Sequence, residues 1–193
     1  QWSRNLKSIH EDPSIKEVIL SGGDPLMLDD EKLTLLFQAI ESIDHVHTLR
    51  IHTRLPVMIP SRVTPALIEL IDQSRLQIVV VIHCNHPQEI DDELQEACAL
   101  LHAVCHGLLN QSVLLKGVND TAEALCELSE RLIRCRVMPY YLHTLDPVAG
   151  AMHFMVSIEH RHQLLEQVRR SLPGYLVPKC VSDVPGKPYK QPA

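Results

Sequence analysis

The 193-residue sequence lacks several features that mark common protein classes. Its 18 Lys and Arg are outnumbered by 24 Asp and Glu, and the resulting net charge of −6 argues against a nucleic-acid clamp held by bulk positive charge. No apolar run reaches the roughly 18 residues that a membrane span needs. We therefore expect a soluble, cytoplasmic protein with neither a nucleic-acid nor a membrane partner.

Cysteine pairs and glycine-rich phosphate motifs are also missing. The six cysteines are scattered and form no CxxC pair, so we expect reduced core thiols. Neither a Walker motif nor a GxGxxG motif occurs, which argues against the usual nucleotide triphosphate and dinucleotide sites. With 45% hydrophobic and 22% charged residues, the composition favours one globular domain over residues 1–193.

The sequence does contain β-rich runs that alternate with helical patterns. Such alternation predicts βαβ units and a parallel sheet, either doubly wound or a barrel. A further strand is predicted near the C-terminus. The predicted strands are 17–21, 49–53, 77–83, 112–115, 137–142 and 174–179, and the predicted helices are 30–42, 64–73, 90–104, 120–134 and 158–171.

Polar residues flank each of the first five strands. In parallel α/β proteins the site lies at the carboxyl ends of the strands, so these residues are candidates for binding or catalysis. Each one alone is more often an ordinary loop residue, but their recurrence at five strands favours a site. The segments are Ser21-Gly22-Gly23-Asp24, His52-Thr53-Arg54, His83-Cys84-Asn85-His86, Asn110-Gln111 at the start of the fourth strand, and His143-Thr144-Leu145-Asp146.

Two chemistries are compatible with these strand ends. Ser21-Gly22-Gly23-Asp24 offers an unobstructed backbone and one carboxylate, which suits an ammonium or amino-acid group. Alternatively, neutral imidazoles and a carboxylate at a barrel mouth can hold zinc, which would make the protein a metal-dependent hydrolase. The residues available for that second chemistry are His52, His83, His86, His143 and Asp146.

The segment 183–190 is a Pro- and Gly-rich turn that presents Lys187 and Lys190. A partly desolvated lysine near a barrel mouth can form a Schiff base with a carbonyl compound or pyridoxal phosphate. A lysine so near a terminus is more often simply solvated. The turn alone leaves both interpretations open.

Five segments, taken in order, resemble the lysine 2,3-aminomutase family of radical S-adenosylmethionine enzymes. The resemblance covers nearly the whole chain and implies an α/β fold, a partial, open TIM-type parallel barrel of the radical SAM kind. It also implies isomerisation of (S)-α-lysine to (R)-β-lysine with pyridoxal phosphate, S-adenosylmethionine and a [4Fe–4S] cluster. The segments are SGGDPL (21–26), RIHTRLPV (50–57), HCNHPQEI (83–90), NQSVLLKGVND (110–120) and PYYLHTLDPVAGAMHF (139–154).

The resemblance also implies roles for individual residues. Lys190 is the lysine that binds pyridoxal phosphate covalently, with Lys187 as a nearby lysine that does not. Asp146 and Asp183 bind the ε-ammonium group of substrate lysine. Arg54 contacts a phosphate or carboxylate group, with Arg50 and Arg62 as competing choices. The residues that contact S-adenosylmethionine are Ser21, Gly22, Gly23, Asp24, His83 and Gln111.

Two features set this chain apart from the family pattern. The CxxxCxxC motif that holds the cluster is missing, as is the arginine that follows it. Because residue 1 is Gln and the match begins in mid-pattern, we expect a C-terminal portion of a longer protein, truncated at the first barrel strand and unable to bind the cluster by itself. A non-catalytic remnant that binds lysine or pyridoxal phosphate is a further alternative.

Within the family, the sequence motifs LHTLD (142–146) and GYLVPK (174–179) are most similar to those of the branch that makes β-lysine for elongation factor P. This similarity implies a functional link to elongation factor P and its lysyl ligase.

Overall fold

The computed structural model describes residues 2–187 and 189–193. The chain divides into two compact units, Gln1–Ile82 with Glu96–Leu108, and His83–Gln95 with Leu109–Ala193. Within the described residues, no helix is both long and apolar enough to cross a membrane.

The first unit is built on three parallel strands in the order β1, β2, β3. Glu17 pairs with Thr48, which in turn pairs with Gln77, so the three strands begin level with one another. The strands are β1 (Glu17–Leu20), β2 (Thr48–Thr53) and β3 (Gln77–His83), and the helices are α1 (Ser3–Glu11), α2 (Asp30–Glu41), α3 (Leu55–Met58), α4 (Pro65–Asp72) and the greater part of α5 (Asp92–Val104).

Local sequence explains where these elements begin and which faces they bury. The Asp29 carboxylate accepts a hydrogen bond from the Lys32 backbone N–H at 2.8 Å and so caps α2. Thr64 caps α4 in the same way, ahead of Pro65 in the first turn. Burial alternates along β2, whereas β3 is buried almost continuously from Ile78 to Ile82, as expected for a strand covered on both faces.

The second unit contains three parallel strands in the order β4, β5, β6, with a short β7 antiparallel to β6. Its helices pack a leucine-rich core against the strands. The strands are β4 (Gly107–Val113), β5 (Met138–His143), β6 (Lys179–Ser182) and β7 (Gln191–Pro192), the helices are α6 (Ala122–Arg134) and α7 (Ile158–Ser171), and the core residues include Leu114, Leu125, Leu142, Leu164 and Val168.

Two strand predictions are wrong. The fourth strand runs from Gly107 to Val113 rather than over 112–115, so Asn110 and Gln111 lie inside it instead of leading into it. The alternating burial of this strand mixes polar and apolar residues, which hides it from a search for apolar runs. Gly174–Leu176 is a 3₁₀ turn, and the strand predicted at 174–179 is formed by Lys179–Ser182.

The predictions of alternating helices and strands and of parallel pairing are otherwise confirmed, and the antiparallel β7 is the one addition to the pairing pattern. Helix α1 and the short helix α3 were not predicted. Helix α1 buries no residue and has only two apolar side chains, Leu6 and Ile9, so its sequence offers little apolar pattern from which to predict a helix.

Helix α6 ends in a left-handed residue that is not glycine. Arg136 has φ of 61°, its N–H donates to the Ile133 carbonyl at 3.0 Å, and the Val137 N–H donates to the Leu132 carbonyl at 2.9 Å. These two hydrogen bonds form a Schellman motif, in which glycine is the preferred left-handed residue because it has no Cβ.

We expect Arg136→Gly to stabilise the protein by about 1 kcal/mol, because it removes the Cβ strain of the left-handed conformation. Chemical denaturation of the variant and the parent measures the difference. The matched control is Arg134→Gly, which changes another exposed arginine at the last helical position of α6 and should cost up to about 1 kcal/mol. A stability loss in both variants would contradict the strain argument.

Candidate functional site

Three of the predicted site residues line one open cleft in the second unit. The cleft has a volume of about 760 Å³ and is lined by Asp146, Asp183 and Lys190, together with Lys187 and Tyr189. A cleft of this size is typical of small-molecule binding sites. The structure therefore brings two carboxylates and a lysine amine together from distant parts of the sequence.

Strand pairing explains why Asp183 and Lys190 lie side by side. Antiparallel pairing joins Ser182 of β6 to Gln191 of β7, and Asp183 and Lys190 directly flank that pair. The intervening turn includes Gly186 at a φ of 79°, a conformation that favours glycine. The Lys190 ammonium then donates to both Asp183 carboxylate oxygens, at 2.7 and 2.8 Å.

Asp146 reaches the same cleft from the loop that follows β5. Strands β5 and β6 are parallel, with His143 paired to Val181, so their carboxyl ends lie at the same edge. Residues that closely follow these ends, such as Asp146 and Asp183, are thereby placed near each other.

His143 is a functional candidate to which sequence reasoning gave no role beyond possible zinc binding. It is the last residue of β5, and its ring lies 5.6 Å from that of Tyr141 in an edge-on arrangement. Burial lowers the pKa of His143, the positive charge of Lys190 lowers it further, and the carboxylate of Asp183 partly opposes this effect. His143 lies two residues after Tyr141 on the same strand, and this spacing indicates that the two side chains share one face of the sheet.

Gln111 and Tyr141 are neighbours on one face of the sheet. They are register partners on β4 and β5, and the Tyr141 ring centroid lies 6.0 Å from the Lys190 amine. Residues next to Gln111 point to the opposite face, because side chains alternate along a strand. Gln111 is therefore positioned on the Tyr141 face.

The loop after His83 is held by buried polar groups on that opposite face. The Asn110 amide accepts from the Cys84 N–H at 2.8 Å and donates to the Cys84 carbonyl at 3.0 Å, and the Ser112 hydroxyl donates to the same carbonyl at 2.9 Å. These groups fix the backbone directly after His83, which ends β3. Asn110, predicted as part of a polar strand end, thus has a structural role.

His86 has a structural role that weakens the zinc alternative. Its Nδ1 accepts from the Gln88 N–H at 3.2 Å, and its own N–H donates to the Glu89 carboxylate at 3.0 Å, so it caps the 3₁₀ turn at Pro87–Glu89. Among residues 2–187 and 189–193, no three or more His, Cys, Asp or Glu side chains are grouped to hold a metal ion. The side-chain geometry thus does not favour a zinc hydrolase.

In the first unit, Asp24 connects the loop after β1 to the end of β2. One carboxylate oxygen accepts from the Leu26 N–H at 3.0 Å and from the Thr53 hydroxyl at 2.7 Å. The other accepts from the Arg54 N–H at 2.6 Å. Asp24 therefore shapes the Ser21–Asp24 loop.

The glycines of this loop keep its backbone open. Gly22 has φ of 106°, and a Cβ built on Gly22 or Gly23 would meet no heavy atom within 4 Å. Ser21, Gly23 and Asp24 line a cavity of about 480 Å³ within the first unit. A ligand could reach the backbone here without contacting a side chain at either glycine.

Arg50 and Arg62 form side-chain contacts within the first unit. Arg50 pairs with Glu17 at 2.8 Å. Arg62 donates to the Leu26 carbonyl at 2.7 Å and pairs with Asp30 at 2.8 Å. Both fix strands or loops, whereas Arg54, the preferred candidate, is fixed through its backbone by Asp24.

The six cysteines do not form a cluster site. None of the six forms a disulfide, and each is buried or partly buried. Burial raises the pKa of the thiols of Cys105, Cys126, Cys135 and Cys180, which keeps them protonated. Iron–sulfur clusters bind thiolates, so these residues do not fit a [4Fe–4S] cluster.

Comparison with known proteins places the chain among characterised sequences. It is 47% identical over 191 residues to the L-lysine 2,3-aminomutase of Escherichia coli K12, a match that covers 99% of this chain and 56% of that protein. The chain thus spans about half the length of the curated relatives that it matches. No family model matches it.

Solved structures share the fold at low identity. Streptococcus suis SuiB bound to S-adenosylmethionine aligns with a TM-score of 0.65 and 14% identity, over 95% of this chain and 43% of that chain. A radical SAM methyltransferase from Sphaerobacter thermophilus aligns with a TM-score of 0.63 and 16% identity, over 93% and 54%. The predicted fold class, an α/β partial barrel of the radical SAM kind, is confirmed.

We expect Asp24→Asn to destabilise the chain by about 2 kcal/mol. The substitution replaces one carboxylate oxygen with an NH₂ group, which would then face an N–H donor of the protein instead of accepting a hydrogen bond from it. Chemical denaturation measures the loss. The matched control is Asp29→Asn at the exposed cap of α2, where Asn caps as well as Asp and the change should stay within about 0.5 kcal/mol. Equal effects would show that Asp24 does not organise the loop.

The lowered pKa of His143 predicts a loss of stability in acid. An unfolded histidine takes up a proton near pH 6.5, whereas folded His143 resists it, so its stabilisation is present above about pH 6.5 and is lost as pH falls through the folded pKa. Urea denaturation at about pH 7.5 and about pH 5.5 should show a smaller loss for His143→Gln than for the parent. Identical losses would contradict the assignment.

Proposed function

Because the chain is 47% identical over 191 residues to a curated L-lysine 2,3-aminomutase, we propose that it belongs to the lysine 2,3-aminomutase family and that the protein is a pyridoxal-phosphate-dependent radical SAM isomerase. It converts (S)-α-lysine to (R)-β-lysine by moving an amino group within one molecule. The observation that supports this most is the cleft that gathers Asp146, Asp183 and Lys190.

Asp146 and Asp183 are proposed to bind the ε-ammonium group of L-lysine. An ammonium that leaves water needs compensating negative charge and hydrogen-bond acceptors, and two carboxylates supply both. The contact between Asp183 and the Lys190 ammonium supports this, since the same carboxylate already receives a primary ammonium in bidentate geometry. This pair of carboxylates would favour lysine over amino acids with uncharged side chains.

Lys190 is proposed to bind pyridoxal phosphate. Its amine lines a cleft large enough for the cofactor, and the Tyr141 ring lies beneath it. The bound cofactor supplies a conjugated π system that stabilises the rearranging radical. Lys190 places the cofactor, and Asp146 and Asp183 fix the far end of the substrate, so the residues hold the reacting atoms in register.

S-adenosylmethionine is proposed to bind the Ser21-Gly22-Gly23 backbone, with Asp24 holding the loop in shape and Arg54 contacting a phosphate or carboxylate group. The open loop supports this, because no Cβ obstructs a ligand at either glycine. His83 and Gln111 are proposed to position the nucleoside and methionyl groups.

The cysteines of this chain do not fit the cluster that a radical SAM reaction requires. The β-lysine product is proposed to be used for elongation factor P, through its lysyl ligase. This part of the proposal depends on the segments 142–146 and 174–179 and includes a cytoplasmic location.

The test is absorbance of the purified protein with pyridoxal phosphate, combined with an assay for β-lysine on the full-length gene product. We expect Lys190→Ala to abolish the imine absorbance band and all detectable β-lysine formation, because the Lys190 amine is the group proposed to form the imine with pyridoxal phosphate.

Lys187→Ala is the matched control, since Lys187 lines the same cleft. This variant should keep the band and most of the activity. A band that persists in folded Lys190→Ala, or that disappears in Lys187→Ala, would overturn the assignment of Lys190.

A further inference from the structure

The Lys190 ammonium binds the Asp183 carboxylate, which is the group proposed to bind the ε-ammonium of the substrate. Both oxygens of Asp183 accept from it, and Lys190 is the more buried partner, with 31% of its side chain exposed against 55% for Asp183. A second ammonium that approached Asp183 would have to displace this one. The cleft therefore contains an internal competitor for its own ligand.

Resting on that proposed function, we propose that Lys190 blocks the ammonium subsite at Asp183 until a cofactor aldehyde takes its amine. The protein would then bind its cofactor first and the ammonium ligand second. Asp183 changes partner, from an amine of this chain to an amine of the ligand.

The covalent step accounts for the release. Lys190 loses a proton to solvent, its nitrogen forms a C=N bond to the aldehyde carbon, and the aldehyde oxygen leaves as water. The product nitrogen carries at most one hydrogen, compared with three on the ammonium, so it can no longer donate to both oxygens of Asp183. No oxidant or reductant takes part.

The Lys190 amine lies near the Tyr141 ring as well as Asp183. Tyr141 lies 6.0 Å from the amine, and Asp183 directly follows β6 while Lys190 directly precedes β7. Strand pairing fixes both backbones, so the exchange needs only side-chain rotation. Asp146, on a different loop, stays in the cleft as the second carboxylate.

The experiment measures ammonium binding to the full 193-residue chain by NMR titration. The probe is N,N-dimethylbutylammonium, which can donate one hydrogen bond to a carboxylate but cannot condense with an aldehyde. We expect Lys190→Met, which keeps the length of the side chain, to bind the probe about fivefold more tightly than the parent, the change that corresponds to loss of an exposed ion pair. Pyridoxal phosphate added to the parent chain should cause a similar gain in affinity for the probe.

Two controls separate this exchange from a general change in charge. Lys187→Met removes the same charge from the same cleft and should change affinity by less than about twofold. Adding Asp183→Asn to Lys190→Met should remove the gain. Equal gains at both lysines, a gain that survives loss of Asp183, or no gain in Lys190→Met and in the loaded parent would overturn the proposal.

The outcomes also separate this inference from the proposed function. If the protein does not isomerise lysine but the exchange is real, the Lys190→Met gain and its dependence on Asp183 persist although no β-lysine forms. If β-lysine forms while the probe shows no gain, the exchange is wrong and the aminomutase assignment stands. If Lys190→Met does not fold, the parent chain with and without pyridoxal phosphate still decides the question.

Discussion

The pairing of β6 with its neighbours is the constraint on which the second unit depends. Parallel pairing with β5 aligns the carboxyl ends of the two strands, and antiparallel pairing with β7 folds the chain back onto the same edge. These two contacts bring Asp146, Asp183 and Lys190 to one cleft. The backbone hydrogen bonds of the sheet therefore fix the site.

Charge in this cleft is balanced rather than uniform. Two carboxylates and two lysines line it, and burial together with the charge of Lys190 lowers the pKa of His143. In a cleft with only carboxylates, the negative charges would repel one another when no ligand is bound. The contact between Lys190 and Asp183 compensates part of that negative charge. The same contact limits the access of other ammonium groups to Asp183. The ion pair that stabilises the empty site therefore also weakens the binding of a ligand there.

Several polar residues at the strand ends proved to be structural. Asp24 fixes the loop after β1, Asn110 holds the backbone after His83, and His86 caps a 3₁₀ turn. Buried polar groups need partners, so a polar residue after a strand can satisfy the backbone as readily as it can bind a ligand. Sequence position alone does not separate the two roles, because both require the same residue types at the same places.

The sequence by itself determined the alternation of strands and helices and the parallel pairing, because apolar periodicity and helix caps are local properties. It could not show that the fourth strand begins at Gly107, since the buried positions of that strand include the polar residues Asn110 and Ser112. Only the tertiary structure decided that Lys190 contacts Asp183 and that His143 lies beside them. Those contacts depend on strand register and burial, which join residues that the sequence keeps apart.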